Sequence, residues 1–170
     1  EVGDVVLALP SVGLHTNGYS LARKLLLEVA GHTVNTEVDE LGMTVGTALL
    51  QPHVSYLRPL DGLLDRQVVK GLAHITGGGL TDNIPRILPE GTAVEIRRGS
   101  WPTLPVFSLL QQIGNVAEAE MHRAFNMGVG MVIICAHHDA EFIQSHIETV
   151  RGHCYRIGTV ISGRQEVTFV

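Results

Sequence analysis

The sequence predicts an α+β domain with layered α/β character, a mixed β-sheet packed with helices. Three features predict it. Continuously apolar runs at Val5–Leu9 and Gly130–Ala136 read as strands, the first covered on both faces, and Val68–Ile75 reads as another strand. Segments with apolar residues at helical spacing alternate with these runs. The chain closes on two further strand-like segments, Tyr155–Ile161 and Glu166–Val170, placed as a hairpin around Ser162-Gly163-Arg164.

Each element follows from local pattern. Pro10 ends the first strand. The helix after it carries Tyr19, Ala22, Leu25, Leu26 and Val29 on one face, with Asn17 as the expected N-cap and Gly31 as the stop. Residues 31–42 are polar and acidic and read as loop. Thr44–Leu50 and His53–Leu64 read as helices, with Pro59 kinking or restarting the second. After the Val68–Ile75 strand and its glycines comes a short helix, Asp82–Leu88, with Asp82 as cap and Pro85 in its first turn. Ala93–Arg97 alternates Val94 and Ile96 with charged neighbours, as a half-exposed strand does. The stiff linker Trp101-Pro102-Thr103-Leu104-Pro105 leads into a helix at 106–113, and Gly114-Asn115 separates it from another, Ala117–Ala124. The strand Gly130–Ala136 is followed by a helix, Asp139–Val150, with Ile143, Ile147 and Val150 on one face.

Bulk composition narrows the function classes. A chain of 170 residues, 45% hydrophobic and 17% charged, is long enough for one domain with a real core. Its mean hydropathy of +0.21 suggests an extensive core together with a face that meets another domain or subunit. A formal charge of −5 argues against nucleic-acid binding, which needs a basic stripe. Lys24 and Lys70 are the only lysines, so a bound phosphate must rely on Arg, backbone amides or a metal. No apolar run approaches the roughly 20 residues of a membrane span. Cys135 and Cys154, read as two buried thiols without metal-ligand spacing, fit a reducing cytoplasm. His137-His138 reads as surface, and the nine histidines form no metal-ligand array. The abrupt opening on Glu1-Val2-Gly3-Asp4 reads as a chain cut from a longer polypeptide.

Two turns concentrate the chemistry. Ser11-Val12-Gly13-Leu14-His15-Thr16-Asn17-Gly18-Tyr19-Ser20 places an imidazole, a carboxamide, hydroxyls and glycines between a strand and a helix. Backbone N–H groups and side-chain donors presented together suit an anionic or nucleotide-like ligand. His15 would donate to phosphate or exchange a proton, and Asn17 would both donate and accept. The alternative makes Asn17 a helix cap and His15 a surface residue. In the second turn His74 ends a strand and Thr76 precedes Gly77, Gly78 and Gly79, which leave room for a ligand or a packed neighbour. Its alternative is a tight turn with His74 half-buried against the sheet. Neither GxxxxGK[ST] nor GxGxxG is present. The glycines of Phe125-Asn126-Met127-Gly128-Val129-Gly130-Met131 are assigned to close backbone packing. Asp4, Asp82 and Glu95 make no carboxylate cluster for magnesium, and Arg86, Arg97 and Arg98 are isolated candidate anion partners.

In combination these segments are diagnostic. The runs 13–21 and 73–80, Asn83-Ile84-Pro85-Arg86 with Leu88-Pro89, Ser100-Trp101-Pro102 and 125–131 occur in an order that closely resembles the phosphoribosylformylglycinamidine cyclo-ligase (AIR synthase) family of purine biosynthesis. The resemblance covers nearly the whole chain, 1–170, and matches only the C-terminal half of those enzymes. It implies the three-layer, partly ferredoxin-like C-terminal domain of that superfamily, with the N-terminal half as its partner and a homodimer when full length. The segment 51–66, with Pro59 and Asp61-Gly62, looks less regularly helical than the family pattern.

The activity implied is ATP-dependent ring closure of formylglycinamidine ribonucleotide in the cytoplasm. Its amide oxygen is phosphorylated, a nitrogen of the same molecule attacks that carbon, and phosphate departs. By motif, His15, Asn17, Ser11, Thr16, Gly13 and Gly18 would position the phosphate or ribose part of a ligand. His74 would stand at the reacting centre, with Thr76, Gly77, Gly78, Gly79 and Asn83 around it. ATP and Mg2+ are implied, with the metal ligands mostly in the N-terminal half. The competing readings are another ATP-using member of the superfamily and a non-catalytic ferredoxin-like binding module.

Overall fold

The strand Val5–Pro10 (β1) is buried along almost its whole length. In the computed structural model, which describes residues 1–150 and 152–170, it lies inside a mixed six-stranded sheet. The others are Val69–His74 (β4), Thr92–Ile96 (β5), Val129–Cys135 (β6), Tyr155–Ser162 (β7) and Val167–Phe169 (β8), in the order β4-β6-β1-β7-β5-β8. Alternation along β1 sends Val6 and Ala8 to one face, with Ile75, Leu80, Ile84 and Trp101. Val5, Leu7 and Leu9 go to the other, with Leu60, Leu63, Ile143 and Ile147. Leu60 ends the short helix Leu57–Leu60 (α3), while Ile143 and Ile147 belong to Ala140–Thr149 (α7), so helices cover that face. Each such side chain, fully buried, contributes about 1.5–3 kcal/mol.

A third apolar cluster lies mainly among helices. Leu14, Ala22, Leu26, Val45, Phe107, Leu110, Met121 and Phe125 pack together there. They come from Tyr19–Arg23 (α1) and the π-helical turn Lys24–Val29 that continues it, Val45–Leu49 (α2), Pro105–Gly114 (α5) and Glu118–Ala124 (α6). Leu14 follows β1 directly, so this cluster anchors the turn leaving the sheet.

Several sequence expectations change in tertiary context. The last two strands are not a hairpin: β8 pairs in parallel with β5, which lies between β7 and β8. The connecting residues cross the end of β5, where Gln165 N–H donates to the Thr92 carbonyl at 2.7 Å. With neighbours on both edges, β5 is buried except at Glu95 rather than half-exposed. The acidic loop contains Glu37–Val38 (β2), which pairs with Met43–Thr44 (β3). Within His53–Leu64 only α3 is helical. The helix expected from Asp82 starts earlier, at Gly79–Asn83 (α4), with Gly78 at its N-cap and a 3-10 turn Pro85–Ile87 beyond. Cys135 is buried but Cys154 only partly so, and burial pushes their thiols up to about 11 and about 12. His137 and His138 are exposed, as expected.

The glycine triplet divides between packing and open space. A Cβ on Gly79 (φ +58) would collide with the His122 carbonyl oxygen and lie 2.6 Å from that of Phe125, because α4 packs on α6. A Cβ on Gly77 would meet nothing within 4 Å. Gly79→Ala should therefore lower stability by about 3–5 kcal/mol, a fall of roughly 10 °C in Tm, while Gly77→Ala stays within about 0.5 kcal/mol. Thermal melting of both variants checks this; equal melting temperatures would refute it.

Candidate functional site

The sheet order brings the two polar turns together. Both β1 and β4 run antiparallel to β6, so Pro10 and His74, at their ends, lie over its start, opposite Val129 and Met131. The turns are tied to one another as well. Asn17 donates through Nδ2 to the Ile75 carbonyl at 3.2 Å, and Ile75 N–H donates to Gly130 at 2.9 Å. Asn17 is thus not a helix cap: Gly18, left-handed at φ 65, holds that position without a side-chain cap.

A buried carboxamide fixes each turn. In the first, Asn126 is fully buried and uses its whole hydrogen-bonding capacity. Its Nδ2 donates to the carbonyls of Gly13 (2.9 Å) and Leu14 (3.1 Å). Its Oδ1 accepts from Ser11 Oγ (3.0 Å) and Gly128 N–H (2.8 Å). That clasp holds the chain where His15 and Thr16 adopt left-handed backbone, φ 49 and 62, a conformation costing side-chain-bearing residues on the order of 1 kcal/mol each. In the second turn Asn83 donates to the carbonyls of Thr76, Gly77 and Gly79 at 3.3, 3.3 and 2.8 Å, and accepts from Thr76 Oγ1 at 3.1 Å.

Over these turns lies a cluster of aromatic rings. The segment after α2 brings His53 onto His15, ring centroids 4.4 Å apart and nearly parallel, and to within 5.9 Å of His74 edge-on. Tyr56, 6% exposed, donates to the Pro10 carbonyl at 2.8 Å and lies 6.4 Å from both His15 and His74. A side chain on Gly130 would strike the Tyr56 hydroxyl, so the bare backbone there makes room for the cluster. Burial raises the Tyr56 hydroxyl above its ordinary pKa and keeps it a neutral donor.

His15 forms the floor. It is 1% exposed, and its Nε2 receives long contacts of 3.4 Å from the Val12 and Val54 N–H groups, which assigns the proton to Nδ1. Buried Nδ1 has no partner among the described residues. Burial first, then the neighbouring His53 and His74, push its pKa down to about 4. A cationic His15 reaching a phosphate directly is therefore not what this arrangement presents. The outer surface consists of His53, His74, Thr16 and Gly77, all exposed.

The sequence-predicted residues separate into two groups. Ser11, Gly13, His15, Asn17, Gly79 and Asn83 are buried scaffold. Thr16, His74 and Gly77 are exposed, while Gly18, Thr76 and Gly78 are half-buried. His53, Tyr56 and Asn126 were missed. A carboxamide between Phe125 and Met127, inside an apolar run, was the one available signal; His53 and Tyr56 were hidden in a segment read as helix. The glycines of 128–130 do serve close packing. A concavity of about 490 Å³ lies elsewhere, beside Thr81, Asp82, Arg98, Glu118, His122 and Phe169. No group of three or more His, Cys, Asp or Glu side chains among the described residues is placed to hold a metal. Among the described residues no helix is long and apolar enough to cross a membrane.

Comparison with known proteins converges on one family. The model of the AIR synthase related protein family, C-terminal domain, matches residues 1–170. The phosphoribosylformylglycinamidine cyclo-ligase of Bifidobacterium longum (strain DJO10A) is 54% identical over 132 residues, 77% of this chain and 38% of that protein. Those of Brevibacillus brevis and Desulfitobacterium hafniense (strain DSM 10664 / DCB-2) are 42% and 46% identical over 167 and 166 residues, each match covering 98% of this chain and 48% of the relative. The chain thus spans about half the length of these relatives or less. Among solved structures, thiamine-monophosphate kinase from Stenotrophomonas maltophilia K279a has a TM-score of 0.63 at 17% identity, over 99% of this chain and 50% of its own. Hydrogenase maturation protein HypE in complex with ATP gives 0.61 at 18%, over 99% and 48%. At those identities the likeness is one of fold.

Asn126→Ala removes four hydrogen bonds and strands buried partners, an expected loss of about 3–5 kcal/mol, readable as a fall of roughly 10 °C in Tm. A fall under about 2 °C would show that the clasp is dispensable. For His15 the folded pKa lies below the free value of 6.5. Its neutral form thus stabilises the fold fully above pH 6.5, and that contribution fades towards pH 4 by up to about 1.4 kcal/mol per pH unit. His122, also lowered chiefly by burial, adds to the trend. Urea midpoints at pH 7 and pH 5 should differ less in His15→Gln than in the unmodified chain; an identical difference would contradict the assignment.

Proposed function

Because the chain belongs to the AIR synthase related protein family as its C-terminal domain, we propose that it is the C-terminal half of a phosphoribosylformylglycinamidine cyclo-ligase. Such an enzyme uses ATP to convert formylglycinamidine ribonucleotide to 5-aminoimidazole ribonucleotide. The observation that carries the reading is the convergence of His15, His53 and His74 over two clasped, glycine-bearing turns, in a chain 42–54% identical to proteins of that name. ATP phosphorylates the amide oxygen of the substrate. A nitrogen of the same molecule then attacks the activated carbon, the C–O bond breaks, and phosphate leaves with its electron pair. Holding both ends of one substrate makes the second step effectively unimolecular.

The chain's own residues divide that work. Asn126, Asn83 and Asn17 hold the turns in register, so that Thr16, Gly77 and the imidazoles face the ligand. His74, exposed at the end of β4, meets the reacting atoms as donor or proton-transfer group. Buried Ser11, Gly13, His15, Gly79 and Asn83, with half-buried Gly18, Thr76 and Gly78, shape the binding surface from beneath. Magnesium does not fit these residues alone, since no group of three or more His, Cys, Asp or Glu side chains among the described residues is placed to hold it. Its ligands and most nucleotide contacts fall to the remaining half of the polypeptide, within a homodimeric enzyme of the cytoplasm.

Assay of the full polypeptide with formylglycinamidine ribonucleotide and ATP, following imidazole formation, tests the reading. His74→Ala should lower kcat by about 10²-fold with unchanged Tm, and residues 1–170 alone should turn over little or no substrate. Undiminished turnover in a folded His74→Ala enzyme would remove His74 from the chemistry. Inactivity of the unmodified enzyme on this substrate, with activity on another, would reassign the reaction.

A further inference from the structure

Three imidazoles share the cluster, but their nitrogens are not equally free. His15 has one nitrogen facing backbone N–H groups and the other sealed from solvent. His74 is exposed, with no hydrogen bond to its ring among the described residues, so nothing orients it. His53 alone combines an orienting partner with a free nitrogen. Its Nε2 lies 2.5 Å from the His15 carbonyl oxygen and 3.4 Å from Thr16 Oγ1. A carbonyl only accepts, so Nε2 must carry the proton and donate it. Neutral imidazole has a single N–H, so Nδ1 is left with its lone pair and no protein partner among the described residues. The left-handed backbone at His15 and Thr16 sets the direction of that carbonyl, and Thr16 Oγ1 donates to the same oxygen at 2.6 Å. An imidazole whose tautomer is set by a fixed acceptor is the arrangement of an oriented general base.

We propose that His53 is the general base of ring closure, and this rests on the cyclo-ligase reading above. As the C–N bond forms, the attacking nitrogen gives its N–H proton to His53 Nδ1, and phosphate takes the C–O bonding pair. The stacked His15 ring beneath, neutral and buried, supports His53 without competing for the proton. The groups facing His53 are His15 and Thr16 from the turn after β1 and His74 from the end of β4.

The test uses the full polypeptide and two variants with Tm measured alongside. His53→Gln offers a carboxamide N–H in place of the donor to the His15 carbonyl but has no basic nitrogen; His53→Ala loses both. Single-turnover ring closure should fall about 10²-fold or more in both, with KM for the ribonucleotide within threefold. The acidic limb of the pH–rate profile should flatten in His53→Gln. Wild-type rates in His53→Gln with a loss only in His53→Ala would make the residue a structural support and overturn the proposal. So would an unchanged acidic limb. Failure of the unmodified enzyme to cyclise the ribonucleotide is a separate outcome, which removes the underlying reading before either variant is considered.

Discussion

Two buried carboxamides carry the rest of the site. Asn126 and Asn83 each saturate their hydrogen bonds on the backbone of one turn, inside an apolar surround where an unmade bond is costly. The Asn126 clasp, with the Asn17 N–H bonded to the Leu14 carbonyl, holds the turn in which His15 and Thr16 adopt left-handed backbone. Those dihedrals aim the His15 carbonyl at His53. The geometry at the surface is thus set one layer below it, by buried side chains.

The sheet supplies the second constraint. With β6 between β1 and β4 and antiparallel to both, the turns after β1 and β4 emerge side by side at one end. Residues 59 positions apart in sequence, His15 and His74, meet because a third strand separates their own. Gly130 keeps the crossing open for Tyr56 and His15, and Gly79 lets α4 lie on the backbone of α6. Gly77 alone of the triplet faces outward without a neighbour to fill.

Burial separates the histidines by role. A single imidazole type becomes a neutral floor at His15, an oriented ring at His53 and an exposed group at His74, according to how much water and how many backbone donors each meets. Burial first, then the neighbouring His53 and His74, keep His15 neutral at neutral pH.

Local pattern alone determined the buried strands, the helices of 105–124 and 140–149, both histidine-bearing turns and the family to which their motifs belong. Those signals are short-range: apolar runs, helical spacing, and glycine next to polar side chains. Tertiary structure decided the rest. β8 chose β5 over β7 because pairing partners are set by which edge lies free, not by the turn between strands. Asn17 ties two turns instead of capping a helix, since its acceptor, Ile75, lies 58 residues away. His53 and Tyr56 entered the site from a segment whose helical spacing hid them, as Pro59 and the contact with β1 left only one turn of helix there. Asn126 was visible only as a polar residue in an apolar run, and three of its four partners, on Ser11, Gly13 and Leu14, lie at the other end of the chain.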